Sequence, residues 1–450
     1  MRYLLLKPDM ELIKTTRGGL LFDRMRGKHI MLTPTEGLIL SLCDGSRTFE
    51  DITKYIAKTY GLDKVKCEYD VKNFILSIQK EVLVQLDRPI EVQTKTVSPD
   101  SFKEIGYSEV LIPEKIMTLG ISPTYDCSLK CEYCFARAGE NDTHLKMLNL
   151  ETVKRVLNEG AELGAIRLDV SGGDPINYRY MPEMVKEAVE LGYRDITIST
   201  KGVAVNADIA RRLRLAGLNK IQLSIDTLNP ELYDSIVGRD GMYQRMIRGW
   251  YNLKKEGFTM VNRATVTRRT INHVVDMLKK TYDMGIYSAR LIGVQEYGRG
   301  KNSMMAPIED MVKLREDVEI LSESYPNSRW IVGDLGFGEP YPCEGGISRI
   351  WVHPDGRVSL CDVAGTYLDS SPIFVFGNIK NEKLSEIWKN KIPSLFRTVR
   401  DSKCLNCSIA NECRGGCPLF ASTYYGDVMK AIPTCKPLKE GGIIWRKATL

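Results

Sequence analysis

Cys127-Ser-Leu-Lys-Cys131-Glu-Tyr-Cys134 contains three thiols separated by three and then by two residues. The stretch follows Ile116-Met-Thr-Leu-Gly-Ile121, an apolar run that predicts a buried strand. We therefore expect a loop after a strand that gathers the three side chains. Three thiolates can bind three irons of a cubane [4Fe-4S] cluster, whose fourth iron stays open to a small chelating molecule.

Zinc is the alternative occupant of this loop. Structural zinc sites use four ligands, usually as paired Cys-x-x-Cys motifs or with nearby histidines. The nearest histidine, His144, is ten residues past Cys134 in the polar stretch Asn141-Asp-Thr-His144, which is typical of a surface. The spacing therefore favours an iron–sulfur cluster over a zinc knuckle or buried structural cysteines.

The loop, with the aromatic Tyr133 before its third cysteine, resembles that of the radical S-adenosylmethionine (SAM) superfamily. The resemblance implies that the open iron binds the amino and carboxylate groups of SAM and that Tyr133 lies beside the adenine. It also implies that reduction of the cluster cleaves SAM to a 5′-deoxyadenosyl radical, which abstracts a substrate hydrogen.

Length and composition set the wider frame. With 450 residues, the chain is long enough for two or three domains, and its net charge of +6 is too mild to argue for nucleic acid. The apolar run at the start is too short for a signal peptide, and no later run approaches a membrane span, so we expect a cytoplasmic protein. Twelve cysteines in such a chain indicate metal rather than disulfides.

Residues 1–92 predict a separate small domain of two strands and three helices. The strands are expected at 18–22 and 28–32, and the helices from Thr33, Phe49 and about Asp70. This is a winged-helix pattern, which binds DNA through a recognition helix or a peptide by strand addition. The third helix is rich in core residues and poor in basic ones, which argues against DNA. We expect Cys43 and Cys67 to be packing or surface residues.

Four pieces of this domain carry a resemblance: Leu32-Thr-Pro-Thr-Glu, Leu40, Leu42-Cys-Asp-Gly and Thr48-Phe-Glu-Asp-Ile. They resemble the PqqD-like recognition element of ribosomally made peptides. That element binds the leader segment of a precursor peptide, so the resemblance implies a peptide partner rather than DNA.

After a polar linker at 93–115, strands and helices alternate. Six strands are predicted, at 116–122, 166–170, 195–200, 220–226, 260–266 and 289–294. Such alternation indicates an α/β fold with a parallel sheet. The radical SAM resemblance implies an open (β/α)6 partial barrel over residues 116–325, with its chemistry at the carboxyl ends of the strands.

Polar residues at three strand ends are candidates for SAM contacts. Ser171-Gly-Gly-Asp174-Pro175 resembles the Gly-Gly-Glu turn of the superfamily, with Asp in place of Glu, which implies that Gly172, Gly173 and Asp174 lie near the SAM amino group. A turn that merely ends the strand would need the same glycines. Ser199 and Ser224, at the next two strand ends, resemble positions that supply ribose contacts.

The predicted domain at 326–450 holds seven cysteines: Cys343, Cys361, Cys404, Cys407, Cys413, Cys417 and Cys435. One tetrahedral zinc would leave three of them over. The pattern resembles the SPASM domain, which implies two auxiliary [4Fe-4S] clusters besides the SAM cluster. The resemblance implies that Cys404, Cys407, Cys413 and Cys435 bind the distal cluster and that Cys343, Cys361 and Cys417 bind the proximal one.

Two fully ligated auxiliary clusters would need eight thiolates, and this domain supplies seven. One iron of the proximal cluster is therefore expected to be open. An open iron attracts a soft thiolate, and a cysteine of the substrate is the obvious candidate.

The three parts together resemble the thioether-forming radical SAM maturases of ribosomally made peptides, and within them the SCIFF-peptide maturases. The resemblance implies linkage of a peptide cysteine sulfur to a carbon of another residue, with threonine as a candidate. It further implies a precursor peptide and an electron donor such as flavodoxin or ferredoxin as partners, and neither nucleic acid nor membrane. No protein acid or base is expected.

Two alternatives stay open. One is another SPASM enzyme, either a sulfatase-maturing enzyme or one that cyclises peptides through a carbon–carbon bond. The other is a winged-helix iron–sulfur regulator that binds DNA.

Overall fold

The computed structural model describes residues 2–15, 18–23, 28–32, 34–61, 63, 65, 67–69, 71–72, 74–75, 82–90, 99, 115–140, 147–333, 343–366, 372–404 and 410–432. The chain forms two compact units, and the second begins at Lys115. None of the helices in the described ranges has the length and apolar character needed to cross a membrane.

In its described residues, the N-terminal unit contains two antiparallel sheets of three strands, ordered β5-β1-β6 and β2-β3-β4. The strands are β1 (Tyr3–Leu6), β2 (Met10–Thr15), β3 (Gly18–Asp23), β4 (Lys28–Leu32), β5 (Asp44–Thr48) and β6 (Leu83–Leu86). The two predicted strands are β3 and β4. Sequence reasoning missed the other four; β5 in particular is polar and lacks apolar alternation.

Two helices of this unit agree with the prediction, α1 (Pro34–Leu42) and α2 (Phe49–Tyr60). A capping box starts α2, because the Thr48 hydroxyl accepts from the Asp51 N–H and the Asp51 carboxylate accepts from the Thr48 N–H. Positions 67–69, 71–72 and 74–75 are helical, where the third helix was predicted, and the rest of that helix lies outside the described residues. Cys43 and Cys67 are buried in the core of this unit, which confirms that they pack.

The second unit is built on one sheet of ten strands, ordered β13-β12-β11-β10-β9-β8-β7-β14-β15-β16. The strands are β7 (Thr118–Ile121), β8 (Arg167–Val170), β9 (Asp195–Thr200), β10 (Lys220–Leu223), β11 (Thr259–Val266), β12 (Ser288–Gly293), β13 (Arg329–Val332), β14 (Arg349–Val352), β15 (Arg357–Ser359) and β16 (Val375–Asn378). Strands β7 to β14 pair in parallel, and β15 and β16 add in antiparallel fashion.

The predicted (β/α)6 partial barrel is confirmed, since β7 to β12 are the six predicted strands. The intervening helices are α3 (Leu150–Glu162), α4 (Met181–Glu190), α5 (Ala207–Leu215), α6 (Pro230–Val237), α7 (Met242–Lys255) and α8 (Val274–Asp283), and α9 (Ile308–Glu323) leads to β13. Apolar side chains of these helices and of the strand faces they cover form one continuous core.

Two strands at the ends of the parallel series were not predicted. β13 adds beside β12, and β14 adds beside β7. Because β14 belongs to the cysteine-rich C-terminal part, that part continues the barrel sheet. Its helices are short: α10 (Asp362–Thr366), α11 (Leu384–Glu386), α12 (Ala410–Cys413) and α13 (Pro418–Tyr425).

Candidate functional site

The first three cysteines lie on the loop that follows β7, residues 122–140, which we call the cluster loop. Cys131 is buried, and Cys127 and Cys134 are half-buried. Burial is the main cause that raises the pKa of Cys127. The charge of Asp174 and the thiols of Cys131 and Cys134 raise it further. Burial also raises the pKa of Cys131 to about 12. The three thiols are thus close enough to interact, as the spacing predicted.

The predicted Gly-Gly-Asp turn after β8 is fastened to the cluster loop by backbone hydrogen bonds. The Gly173 N–H donates to the Thr124 carbonyl at 3.1 Å and the Asp174 N–H donates to the Asp126 carbonyl at 2.9 Å. Gly172 has φ +137°, and a Cβ there would collide with the Thr124 carbonyl oxygen. A Cβ on Gly173 would lie 2.6 Å from the Tyr125 carbonyl oxygen. Both glycines are needed for this close approach.

The Asp174 carboxylate is occupied by protein donors. It accepts from the Thr200 hydroxyl at 2.7 Å, from the Ile176 N–H at 3.2 Å and from the Lys201 N–H at 3.3 Å. Burial raises the pKa of Asp174, against these hydrogen bonds, which lower it. In this geometry the aspartate ties the turn after β8 to the end of β9, and direct contact with SAM stays a prediction.

The turn after β12 also supports the cluster loop. Arg299 donates from Nε to the Cys131 carbonyl at 2.8 Å and from its two NH groups to the Ala138 carbonyl, each at 3.1 Å. It also forms a 2.7 Å ion pair with Glu140. A Cβ on Gly298 would lie 2.6 Å from the Phe135 carbonyl carbon, so this turn too requires glycine. Arg299 is not among the site residues that the sequence predicted.

A third support comes from the carboxyl end of α6. The N–H groups of Lys130 and Glu132 donate to the carbonyls of Val237 and Ile236, each at 3.0 Å. These carbonyls are the unpaired acceptors that every helix leaves at its C-terminus. The cluster loop is therefore held from three sides by the scaffold.

Tyr133 takes part in a buried polar group with two residues that the sequence analysis did not select. Its hydroxyl donates to Asp226 and accepts from Lys201 Nζ at 2.8 Å. Lys201 also forms a 2.5 Å ion pair with Asp226 and donates to the Ser224 carbonyl at 2.9 Å. Burial opposes the charged form of Lys201, but Asp226 and the Cys131 thiol outweigh it and raise the lysine pKa.

Ser199 and Ser224 lie at neighbouring strand ends, as predicted, and both are half-buried. The Ser199 hydroxyl accepts from Gln222 Nε2 at 2.7 Å, and the Ser224 N–H donates to the Thr200 carbonyl at 2.9 Å. Their proposed ribose contacts stay a prediction.

The surroundings of Cys131 suit an anionic iron–sulfur cluster. Lys201 and Arg299 both lower the pKa of the Cys131 thiol, although burial outweighs them. Two cations next to one buried thiol favour the thiolate that iron binds. The three thiols, with the glycine turns that keep side chains off the loop, therefore fit the cluster that the sequence predicted.

The C-terminal part brings the predicted proximal ligands together. Burial is the main cause that raises the pKa of Cys361. Asp362 and the thiol of Cys417 raise it further, and Cys343 contributes less. Burial and the thiol of Cys343 likewise raise the pKa of Cys417 to about 12. Cys343, Cys361 and Cys417 thus interact pairwise. Of the predicted distal ligands, Cys404 and Cys413 are buried, whereas Cys407 and Cys435 lie outside the described residues.

A buried arginine, Arg400, lies among these thiols. Its side chain interacts electrostatically with Cys343, Cys417, Cys413 and Cys404, and burial lowers its pKa. One NH group donates to the Gly416 carbonyl at 2.7 Å, whereas Nε has no hydrogen-bond partner among the described residues. A buried cation needs a compensating anion. Anionic clusters bound by these thiols would supply that charge, so the residues present fit the auxiliary clusters.

No three His, Cys, Asp or Glu side chains within the described ranges converge in a way that could hold a single metal ion.

Three family descriptions match successive parts of the chain. Residues 121–281 match the radical SAM superfamily. Residues 343–414 match SPASM, an iron–sulfur cluster-binding domain. Residues 18–84 match PqqD, coenzyme PQQ synthesis protein D. The matches agree with the loop, the cysteine-rich part and the N-terminal unit described above.

Curated relatives match about two thirds of the chain. The chain is 26% identical to a PqqA peptide cyclase from Granulibacter bethesdensis, over 69% of this chain and 85% of that protein. It is 24% identical to an AdoMet-dependent heme synthase from Methanosarcina barkeri, over 69% of this chain and 94% of that protein.

Solved structures share the fold at lower identity. SuiB from Streptococcus suis, bound to its precursor peptide SuiA, has a TM-score of 0.66 at 17% identity, covering 97% of this chain and all of that one. The protein anSMEcpe with bound AdoMet has a TM-score of 0.57 at 19% identity, covering 72% of this chain and 92% of that one.

The fold and the cysteine loop define a radical SAM domain. More particularly, this chain joins a radical SAM domain to a SPASM domain and a PqqD-like N-terminal domain.

Proposed function

We propose that the chain is a maturase that forms an intramolecular thioether in a ribosomally made precursor peptide of the SCIFF type. A peptide cysteine would supply the sulfur, and another residue, with threonine as the first candidate, would supply the carbon. The bound SAM and clusters would supply one-electron chemistry that removes a hydrogen atom from that carbon.

The observation that carries this proposal is the interacting trio Cys343, Cys361 and Cys417. In the predicted ligand assignment these three thiols bind the proximal cluster, and the other four cysteines bind the distal one. The proximal cluster then has one coordination position that no cysteine of this domain fills, and a substrate thiolate is a suitable ligand for it.

Electrostatics near the trio also suit a thiolate. Arg400 interacts with Cys343 and Cys417 from a buried position, and a cation favours the charged form of a thiol beside it. The residues of this chain would thus bind the peptide sulfur in its deprotonated form. In the net reaction the peptide would lose one C–H hydrogen atom to the 5′-deoxyadenosyl radical, one S–H proton to solvent and one electron to an auxiliary cluster, and would gain one C–S bond.

The N-terminal unit would bind the leader of the precursor. Among the described strands, β4 pairs only with β3, so one of its edges is open to strand addition. The match to PqqD supports this part of the proposal, as does the structural likeness to SuiB, which binds the precursor peptide SuiA. We further propose a cytoplasmic location and an electron donor such as flavodoxin or ferredoxin.

Mass spectrometry of the reaction tests the proposal. The full-length protein, reconstituted anaerobically with iron and sulfide, would be given SAM, dithionite and a cysteine-containing peptide encoded beside its gene. We expect 5′-deoxyadenosine, a peptide lighter by about two hydrogens that resists thiol reduction, and one fewer alkylatable cysteine, since a thioether consumes one thiol. An unchanged thiol count beside normal 5′-deoxyadenosine release would refute thioether formation.

Carbon–carbon cyclisation is the second candidate, because several of the curated relatives are PqqA peptide cyclases. It predicts the same mass loss with every peptide thiol still alkylatable. The alkylation count therefore separates the two reactions in one experiment. Removing residues 1–90 would leave SAM cleavage intact under either reaction and abolish modification of a leader-bearing peptide if the N-terminal unit binds the leader.

A further inference from the structure

A buried hydrogen-bonded chain joins the cluster loop to the auxiliary-cluster region. The Tyr125 hydroxyl lies 2.6 Å from His353 Nδ1, and His353 Nε2 lies 2.7 Å from the Ser359 hydroxyl. Ser359 in turn donates to the Cys361 carbonyl at 2.8 Å. Tyr125 is two residues before Cys127, and Ser359 is two residues before Cys361. These hydrogen bonds therefore connect the loop that carries the predicted SAM-cluster ligands to Cys361, a predicted ligand of the proximal auxiliary cluster.

The hydrogen bond from Ser359 to the Cys361 carbonyl sets the direction of the other two. Ser359 donates its single hydroxyl proton to the Cys361 carbonyl, so it must accept from His353 Nε2–H. A neutral imidazole carries one N–H, so His353 Nδ1 accepts and Tyr125 donates. Burial lowers the pKa of His353 to about 3, which keeps the ring neutral. Each donor thus has one acceptor, and reversing one bond would break the others.

The fold holds His353, the middle residue of these hydrogen bonds, in place. His353 follows β14, whose backbone pairs in parallel with β7, immediately before the cluster loop. The His353 N–H donates to the Arg357 carbonyl at 2.9 Å. Gly365 packs on the imidazole, and a Cβ at that position would lie 2.5 Å from the His353 Cδ2 atom. The imidazole is thus held both through its backbone and by packing on its ring.

We propose that Tyr125, His353 and Ser359 are positioning residues that fix the proximal auxiliary ligand Cys361 relative to the SAM-cluster loop. This inference rests on the proposed function, in which the peptide sulfur is held near Cys361 and the peptide carbon near SAM. The chain would set the distance between the two reacting atoms. A displacement of the order of 1 Å can reduce the rate of such a reaction about a hundredfold.

The test compares two variants of the full-length, reconstituted protein. His353→Leu removes both hydrogen-bonding groups, whereas His353→Gln keeps an acceptor and a donor. His273→Gln is the matched control, because His273 is a half-buried histidine that takes no part in the Tyr125–His353–Ser359 hydrogen bonds. The readouts are iron content, electron paramagnetic resonance of the auxiliary clusters with and without peptide, and the ratio of modified peptide to 5′-deoxyadenosine.

We expect His353→Leu to retain its iron and its SAM cleavage, while the product ratio falls about tenfold or more and the auxiliary-cluster spectrum changes. His353→Gln should recover most of the ratio. An unchanged ratio and spectrum in His353→Leu would overturn the proposal. Equal loss of iron in both variants would also overturn it, because the histidine would then only support the fold. The paramagnetic resonance spectrum can be recorded whether or not a thioether is formed. A wrong thioether assignment would therefore be detected separately, by the count of alkylatable cysteines in the peptide.

Discussion

Replacing Gly173 by alanine should displace the cluster loop by a distance that the structure gives. The added Cβ would lie 2.6 Å from the Tyr125 carbonyl oxygen and closer still to that of Asp126, whereas Cβ atoms are essentially never found within 3.0 Å of such neighbours. Both contacts of the added Cβ are with backbone atoms, so no flexible side chain can move aside to relieve them. The loop must therefore retreat by about 0.4 Å or more just before Cys127.

This displacement should affect both stability and chemistry. Forcing one extra methyl group into a packed site costs about 1–3 kcal/mol. A shift of this size next to a cluster ligand should reduce SAM cleavage by about tenfold to a hundredfold. We would measure iron content after reconstitution, the rate of 5′-deoxyadenosine release and the midpoint of thermal unfolding.

Gly192→Ala is the control for this experiment. Gly192 has φ +88°, so alanine is strained there, but its Cβ would meet nothing within 4 Å. That variant should lose some stability and keep normal iron content and SAM cleavage. Wild-type iron content and cleavage in Gly173→Ala would refute the packing argument. Full iron content with lost cleavage would instead support a direct contact between Gly173 and SAM.

Three further predictions concern buried ionisable side chains. Asp226→Asn should destabilise the protein by about 3–5 kcal/mol, because Lys201 would stay buried without its carboxylate partner. Chemical denaturation measures this loss. As a control, Asp276→Asn in the exposed pair Asp276–Lys280 should change the free energy of unfolding little. His353 has a folded-state pKa of about 3, below that of the unfolded chain, so its contribution to stability is complete above about pH 6.5 and is lost as the pH falls towards 3. The free energy of unfolding should fall by at most about 1.4 kcal/mol per pH unit in this range. Urea titrations at pH 5 and 7 should show this fall, and a smaller one in His353→Gln. Arg400→Gln should lower the reduction potential of an auxiliary cluster by roughly 40 mV, which corresponds to ~1 kcal/mol of lost attraction for one electron. Arg400→Lys keeps the positive charge and should leave the potential unchanged. A redox titration followed by electron paramagnetic resonance would measure both potentials.

Local patterns in the sequence predicted most of the architecture. The cysteine loop, the six alternating strands and helix α2 were all recognisable, because each depends on residues close together in the chain. The missed strands lacked such a pattern: β5 is polar, and β14 is a four-residue strand in the cysteine-rich part. Their pairing partners, β1 and β7, are distant in sequence.

The sequence by itself determined the candidate cluster ligands and the strand ends at which polar residues gather. Only the tertiary structure decided what surrounds them: Arg299 on the Cys131 carbonyl, Lys201 and Asp226 on Tyr133, and His353 between two cysteine loops. The physical reason is range. Ligand spacing is set by a few consecutive bonds, whereas these supporting contacts join strand ends and loops far apart in the chain, and a side chain's identity alone does not reveal its partner.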